Sequence, residues 1–290
     1  MTQIEPCRDI AQLREYIDTH WRKGHILARD AKMFDFQYRT PWVDRKMWPG
    51  GTSVLCIYDG PKLLGFLGSI VAPYPRPRSY WLALWHVLPE LKGGGVGGKL
   101  LQQMQDIAAS QDGWIGTFGA GPEALPVYLK RGYACRAVRR WMYQPGGAGA
   151  SLPRAAARHS AESVPEQAWL DYRFRDHPIF KYEIREGGIF RTETNAWGTV
   201  SHVVRLGEHW AGDVREVYGR DMGRAKEAGT KHLMDCWSFD CPGPGWSLAA
   251  DDVPSVFHPP ENRGNVIYAT ARPFLPTLVQ KGDCDQDRPN

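Results

Sequence analysis

Several features are scarce in this 290-residue chain, and each scarcity excludes something. Cysteine is the first: six residues, at positions 7, 56, 135, 236, 241 and 284, too scattered for a disulfide framework. The closest pair, Cys236 and Cys241, has no neighbouring His or Cys cluster that would close a zinc site, so no metal and reduced thiols in a cytoplasmic protein are expected. An excess of one charge is also missing. Thirty-six basic residues face 32 acidic ones, a net +4 with no basic block, and no nucleic-acid partner is expected. No apolar run approaches the roughly 20 residues that cross a bilayer. The start, MTQIEPCRDI, has no basic-then-apolar signal pattern, and the mean hydropathy is −0.45. Neither a membrane partner nor export is expected. Aromatics, by contrast, are plentiful, with 12 Trp and 12 Tyr. They serve either as large core side chains or as walls around an organic ligand.

The most informative stretch is LALWHVLPELKGGGVGGKLL, Leu82 to Leu101. A strand-like apolar run enters a glycine loop, and a helix-patterned segment follows at once. Such a loop lets backbone N–H groups approach an anion, and the helix adds the positive end of its dipole. Three phosphate loops compete for this pattern. The Walker loop requires Gly-x-x-x-x-Gly-Lys-Ser/Thr. Gly93, Gly98 and Lys99 fit it, but Leu100 stands where a hydroxyl must reach magnesium. The dinucleotide fingerprint threads as Gly93, Gly95 and Gly98. It also needs an acidic residue about 20 positions on, at the end of the next strand. The next apolar stretch, Trp114 to Phe118, ends in Gly-Ala-Gly instead. The third loop, Arg/Gln-x-x-Gly-x-Gly/Ala, fits Lys92-Gly93-Gly94-Gly95-Val96-Gly97 with Lys in place of Arg.

Thirty residues on, Ala124-Leu-Pro-Val-Tyr128-Leu-Lys-Arg-Gly132-Tyr133 reads as a short helix, a glycine stop and a strand. With that second element the chain resembles the GNAT superfamily of acyl-CoA N-acyltransferases, over roughly residues 5 to 145. It departs from the superfamily at Lys92, and at Gly121, where many members carry Asn. The resemblance implies acetyl-CoA or another acyl-CoA as co-substrate. The pyrophosphate would rest on Lys92, Gly93, Gly94, Gly95, Val96, Gly97 and Gly98, where a side chain on Gly95 would fill the phosphate's space. The pantetheine arm would pair with the main chain of Trp85, His86 and Val87. Tyr128 would protonate the departing thiolate, since a phenol stays protonated near pH 7. His86 is the candidate base, with Glu90 close to it in sequence.

The pattern of elements is the GNAT order. A helix is expected from Ile10 to about Trp21, with Leu13, Tyr16 and Ile17 inward, and a second over 25–38, with Met33, Phe34 and Tyr38 inward. Strands are expected over 52–58 and 62–71 around the Asp59-Gly60 turn, then over 80–88, 114–118 and 133–143. The helix after the glycine loop buries Val96, Leu100, Leu101, Met104 and Ile107. Residues 146–158, GGAGASLPRAAAR, read as a linker. Beyond it, paired strands over 188–195 and 199–206 precede a helix over 208–228, with Trp210, Val214, Val217, Tyr218, Met222 and Ala225 inward. Strands over 232–239 and 265–271 follow. The second half therefore echoes the first without a glycine loop. The expected fold is α/β: a GNAT-like mixed sheet with flanking helices, then a degenerate second GNAT-like domain. The expected boundaries are 1–145 for the acetyl-CoA-binding domain, 146–160 for the linker and 161–290 for the substrate-binding half.

The acceptor signal is sparser. WLDYRFRDHPIFKY, Trp169 to Tyr182, gathers charges among aromatics. Arg173, His177 and Tyr182 are the candidate substrate residues, because Arg pairs with phosphate bidentately and rings stack on a base or sugar. The bland alternative is an amphipathic helix with a solvated charged face. Asp283, Asp285 and Asp287 alternate near the end without the closing Glu of a cation loop. Three elements are similar to those of GNAT-like proteins from bacterial surface-polysaccharide pathways. They are Trp21-x-x-x-His-Ile-Leu27, Arg173-x-x-x-His-Pro-x-x-x-Tyr182 and Asp285-x-Asp-Arg-Pro-Asn290. That likeness implies a nucleotide-linked amino sugar as the small-molecule amine. The expected activity is acyl-CoA-dependent N-acetylation; the alternative is a CoA- or sugar-binding sensor without catalysis. A homo-oligomer stands among the expected partners.

Overall fold

The computed structural model describes residues 2–73, 78–118, 124–137, 139–146, 167–194, 198–207, 210–238, 241–249 and 265–269. The linker, Gly121 and the acidic tail lie outside them, apart from the linker's first residue. The chain opens with β1 (Gln3–Pro6) and α1 (Ile10–Tyr16). Asp9 starts α1 by accepting from the amides of Ala11 (2.8 Å) and Gln12 (3.2 Å). The expected helix to Trp21 continues from α1 as a π-helical turn, Ile17–Trp21. The single helix expected over 25–38 is two helices, α2 (Ile26–Arg29) and α3 (Ala31–Tyr38). Asp30 breaks it by turning extended and capping α3 through Met33 N at 2.9 Å. Met33, Phe34 and Tyr38 are buried as expected.

Strands β2 (Val54–Asp59), β3 (Lys62–Ala72) and β4 (Ser79–Val87) follow. A 3-10 turn (Pro89–Leu91) leads to α4 (Val96–Ser110), β5 (Trp114–Phe118) and α5 (Leu125–Lys130). The run expected as one strand over 133–143 is two, β6 (Ala134–Ala137) and β7 (Arg139–Tyr143), and they join different sheets. The later part holds α6 (Gln167–Leu170) with a π turn (Asp171–Arg175), β8 (Glu183–Arg185), β9 (Gly188–Thr194) and β10 (Gly198–Leu206). It ends with α7 (Trp210–Glu227), β11 (Lys231–Ser238), β12 (Trp246–Leu248) and β13 (Asn265–Ala269). Among the described residues no helix is long and apolar enough to cross a membrane.

The strands form two mixed sheets, ordered β1-β2-β3-β4-β5-β13-β6 and β8-β9-β10-β11-β7-β12. Apart from β1 at one edge, the two orders correspond strand for strand. In each, an antiparallel meander of three strands ends in a parallel pair, β4–β5 around α4 and β10–β11 around α7. An antiparallel strand then follows, and in each sheet it comes from the other half of the sequence. β13 lies between β5 and β6, and β7 lies between β11 and β12. The two halves exchange one strand each.

The helices bury the expected faces with one exception. Leu100, Leu101, Met104 and Ile107 of α4 are buried in the first core. Val214, Val217 and Ala225 of α7 are buried against the second sheet, but Met222 is 47% exposed. Asp221 takes the inward position instead, accepting from Thr192 Oγ1 at 2.7 Å and Ser201 Oγ at 2.8 Å. Where the sheets meet, Trp81, Trp114 and Trp169 form an indole cluster with Trp42 and Trp237 against it. Each buried ring adds about 1.5–3 kcal/mol of transfer free energy, which makes this cluster a joint between the sheets.

Candidate active site

The parallel pairing of β4 with β5 begins at Ser79↔Trp114 and stops at Leu82↔Thr117. β4 itself runs on to Val87, held by β3 alone. The cause is a bulge. Leu67 faces Trp85 and Ser69 faces Leu82, so two steps on β3 oppose three on β4. The extra residue re-aims the strand and raises its twist. The main chain of Trp85, His86 and Val87 is thereby left without a ladder to β5.

The glycine loop lies beyond the open end of this strand. Gly95 caps α4 at φ +75°, Gly93 has φ +84°, and no side chain caps the helix. The first intrahelical bond runs from Lys99 N to Gly95 O at 3.1 Å. The amides of Val96, Gly97 and Gly98 therefore precede the hydrogen-bonded ladder and keep the positive end of the dipole unneutralised. The glycines divide the work. A Cβ on Gly95 would meet nothing within 4 Å, so its side-chain space is open, and its need is the left-handed φ. A Cβ on Gly97 would stand 3.0 Å from Trp85 Cζ2, and one on Gly98 would stand 2.9 Å from Arg131 Nη2. These two glycines let Trp85 and Arg131 close on the first helical turn.

Arg131 was not among the expected residues. It follows α5, donates to Gln102 Oε1 at 2.6 Å, and sets its guanidinium beside the first turn of α4. The signal for it is the Lys-Arg-Gly stop after Tyr128, which read only as punctuation. An uncapped helix end, an open cradle at Gly93 and Gly95 and a nearby guanidinium suit a diphosphate. The residues present fit the CoA that the resemblance implies.

Tyr128 is 2% exposed and lies between Trp85 (ring centroids 5.8 Å) and Tyr133 (5.3 Å). His86 follows Trp85 on β4, and successive strand side chains point to opposite faces. Its ring packs on the other side, against Tyr16 (5.6 Å) and the exposed Trp21 (5.6 Å). Tyr16 Oη is 3.0 Å from His86 Nδ1. Burial, with Lys92 and His20 nearby, lowers the His86 pKa below its ordinary 6.5. Tyr128 and His86 thus flank the open strand from opposite sides and do not face each other.

Arg173 and His177 are buried beside Phe36, with the half-buried Tyr182 packed on His177. His177 packs on Phe36 of α3 (4.7 Å), Phe180 (5.2 Å) and Tyr182 (5.6 Å), and Arg173 sits over Phe36 at 5.7 Å. His177 Nδ1 accepts from the amides of Ile179 (3.2 Å) and Phe180 (2.9 Å), which shapes the turn after Pro178. Tyr172 stacks on Phe36 and donates to its carbonyl at 2.6 Å. Arg173 and His177 are buried, so the bland expectation of a solvated charged face does not hold for them.

The second sheet repeats the splay. Pairing of β10 with β11 ends at Val203↔Cys236, and β10 shifts register with β9 between Val203 and Arg205. The glycine run is not repeated in the sequence ahead of α7. Asp213 in the first turn of α7 accepts from Gly187 N at 2.7 Å, with Arg185 3.7 Å away.

Both the open strand and the bare helix end are features of a GNAT-like α/β sheet. Residues 18–133 match the model of the acetyltransferase (GNAT) family. No curated protein sequence matches the chain. Among solved structures, the fold is similar to a GCN5-related N-acetyltransferase from Kribbella flavida. Their identity is 13% and the TM-score is 0.60, over 92% of this chain and 70% of that one. It is also similar to a GCN5-related N-acetyltransferase from Anabaena variabilis, with 11% identity and a TM-score of 0.53 over 92% of this chain and 72% of that one. The likeness spans both sheets and shows a GNAT-like fold. Among the described residues no His, Cys, Asp and Glu cluster could hold a metal, and Cys7, Cys56, Cys135, Cys236 and Cys241 are free thiols.

Proposed function

We propose that the protein transfers an acyl group, most simply acetyl, from acyl-CoA to the nitrogen of a small-molecule amine in the cytoplasm. The observation that carries this reading is the parting of β4 from β5 after Leu82, next to the uncapped end of α4. In this reading the amides of Val96, Gly97 and Gly98 hold the pyrophosphate, with Lys92 and Arg131 adding charge. The main chain of Trp85, His86 and Val87 holds the arm and orients the carbonyl. His86 takes a proton from the acceptor ammonium, and the free amine forms the C–N bond. As the C–S bond breaks, Tyr128 gives its proton to the thiolate, and the second N–H proton shed by the acylated nitrogen restores the phenol. One proton is released to solvent overall.

The stretch 1–145 supplies the CoA site in this proposal, and 161–290 shapes the acceptor side. The acceptor class we propose is a nucleotide-linked amino sugar of surface-polysaccharide synthesis. Its support is the Trp21–Leu27 and Arg173–Tyr182 resemblance. Free-thiol release from acetyl-CoA across a panel of amines, nucleotide amino sugars included, tests the reading. CoA should also stabilise the protein, by about 2.7 kcal/mol at 100 times Kd. A sensor is the second reading, favoured by the placement of His86 and Tyr128 on opposite faces. CoA binding without thiol release from any amine would select it. Stabilisation by NAD and not by CoA would reject both.

A further inference from the structure

The hydroxyl of Tyr16 serves two groups at once. Its oxygen is 3.1 Å from the carbonyl of Leu64 and 3.0 Å from Nδ1 of His86. A carbonyl only accepts, so the phenolic proton goes to Leu64 O, and the oxygen is left to accept from the imidazole. Nδ1 of the neutral ring then carries the hydrogen, and Nε2 keeps its lone pair. The frame around this contact is rigid. Tyr16 is 4% exposed, and its ring meets Phe66 edge-on at 5.8 Å. Leu64 O also accepts from Leu88 N at 3.0 Å, which ties the hydroxyl's anchor to the end of β4. Burial raises the Tyr16 pKa, helped by Glu90 and Cys56, so the hydroxyl keeps its proton while His86 titrates.

We infer that Tyr16 is a positioning residue that fixes His86 in the Nδ1–H tautomer and so presents an unprotonated Nε2 to the acceptor ammonium. This rests on the base role proposed above for His86. The proton transfer balances: the ammonium N–H bond breaks, Nε2–H forms, and the resulting imidazolium keeps its Nδ1–H bond to Tyr16. The charged and titratable groups acting on the pair are His20 on the π turn, Glu90 and Lys92 after β4, and Cys56 on β2. Trp21, 42% exposed and edge-on to His86, borders the same approach.

The test begins with the unaltered full chain. Ring-nitrogen 15N NMR at pH 8, with His86 assigned through His86→Gln, should show protonated Nδ1 and unprotonated Nε2. Tyr16→Phe should move the ring toward the Nε2–H form. It should lower kcat with amine at least fivefold and displace the acidic limb of the kcat–pH profile, leaving KM for acetyl-CoA within twofold. An Nε2–H ring in the unaltered protein overturns the inference, whether or not Tyr16→Phe folds. A tautomer unchanged in a Tyr16→Phe protein with native circular dichroism overturns it too. If His86→Gln keeps the full rate, the inference falls with the base role while acyl transfer stands. If no amine releases thiol, the acyl-transfer reading fails, and the inference falls with it because no ammonium is deprotonated. The NMR result then still reports separately which ring nitrogen Tyr16 holds protonated.

Discussion

Tyr128 is the residue on which binding and chemistry separate. Its ring is packed between Trp85 and Tyr133, so Tyr128→Phe keeps the packing and removes only the hydroxyl. If that hydroxyl protonates the thiolate, kcat should fall by about 10²-fold with CoA affinity unchanged. A rate within roughly threefold of wild type at saturating acetyl-CoA, with chemistry rate-limiting, would remove Tyr128 from the proposal. Gly95 tests the loop from the other side. At φ +75° a β-branched side chain costs about 1–3 kcal/mol of backbone strain. Gly95→Val should therefore weaken CoA binding by tenfold or more, because the turn that aims the amides is lost. Calorimetric titration with CoA showing an unchanged Kd would reject the loop as the anion site. The imidazoles carry a third expectation. Burial lowers the pKa of both His86 and His232 below 6.5. Below that value the unfolded rings take up protons that the folded ones resist, so stability should fall as pH drops from 6.5 toward 5. Lowered carboxylates at Glu193 and Asp221 push the same way at lower pH, because cationic and hydroxyl partners outweigh the upward pull of burial. Chemical denaturation from pH 8 to 5 checks the slope, and a flat profile contradicts it.

Among the elements, those with local causes were legible in the sequence. The strand, loop and helix over 82–101 stand as read, because apolar run, glycines and 3.6-residue period each act over a few residues. The substrate segment and the strand over 133–143 were legible only in part. Nothing local says that Ala137 and Arg139 belong to different sheets, since the run YACRAVRRWMY holds no Gly, Pro, Asn, Asp or Ser to mark a break. The partner of β7 is β11, almost 100 residues away, and the signal for it is a buried ion pair. Arg140 Nε meets Asp235 Oδ2 at 2.8 Å, and the other oxygen of Asp235 holds His202 Nδ1 at 2.7 Å. Such a pair is invisible before the strands are placed. The inward turn of Asp221 in place of Met222 has the same origin: its hydroxyl partners lie on other strands. Asp235→Ala would leave Arg140 and His202 buried without that carboxylate. It should cost about 3–5 kcal/mol of unfolding free energy, the scale of a broken buried pair. A loss below 1 kcal/mol in urea melts would mean that the pair does not hold β7 in place.

For the whole molecule, the exchange of strands makes two repeats into one cooperative object. A repeat built from contiguous sequence could unfold by itself, but here each sheet has its next-to-edge strand contributed by the other half. Without β13, β6 loses its link to the sheet, and the sheet that carries the glycine loop ends at β5. Without β7, β12 is detached from β11 in the same way. The indole cluster between the sheets adds a second link that neither half can satisfy alone. A fragment of residues 1–145 contains the loop, α4, Trp85, His86 and Tyr128, yet it lacks β13 and leaves β7 without a sheet. It should show no cooperative melt and no CoA-dependent rise in Tm. Co-expression with 161–290 should restore both, because the missing strands can be exchanged between chains as they are within one. The full chain should unfold in a single transition, with circular dichroism and tryptophan fluorescence coinciding in guanidinium. A 1–145 fragment that melts cooperatively and is stabilised by CoA would show that the exchanged strand is dispensable to the site, and two separated transitions in the full chain would show that the repeats remain independent.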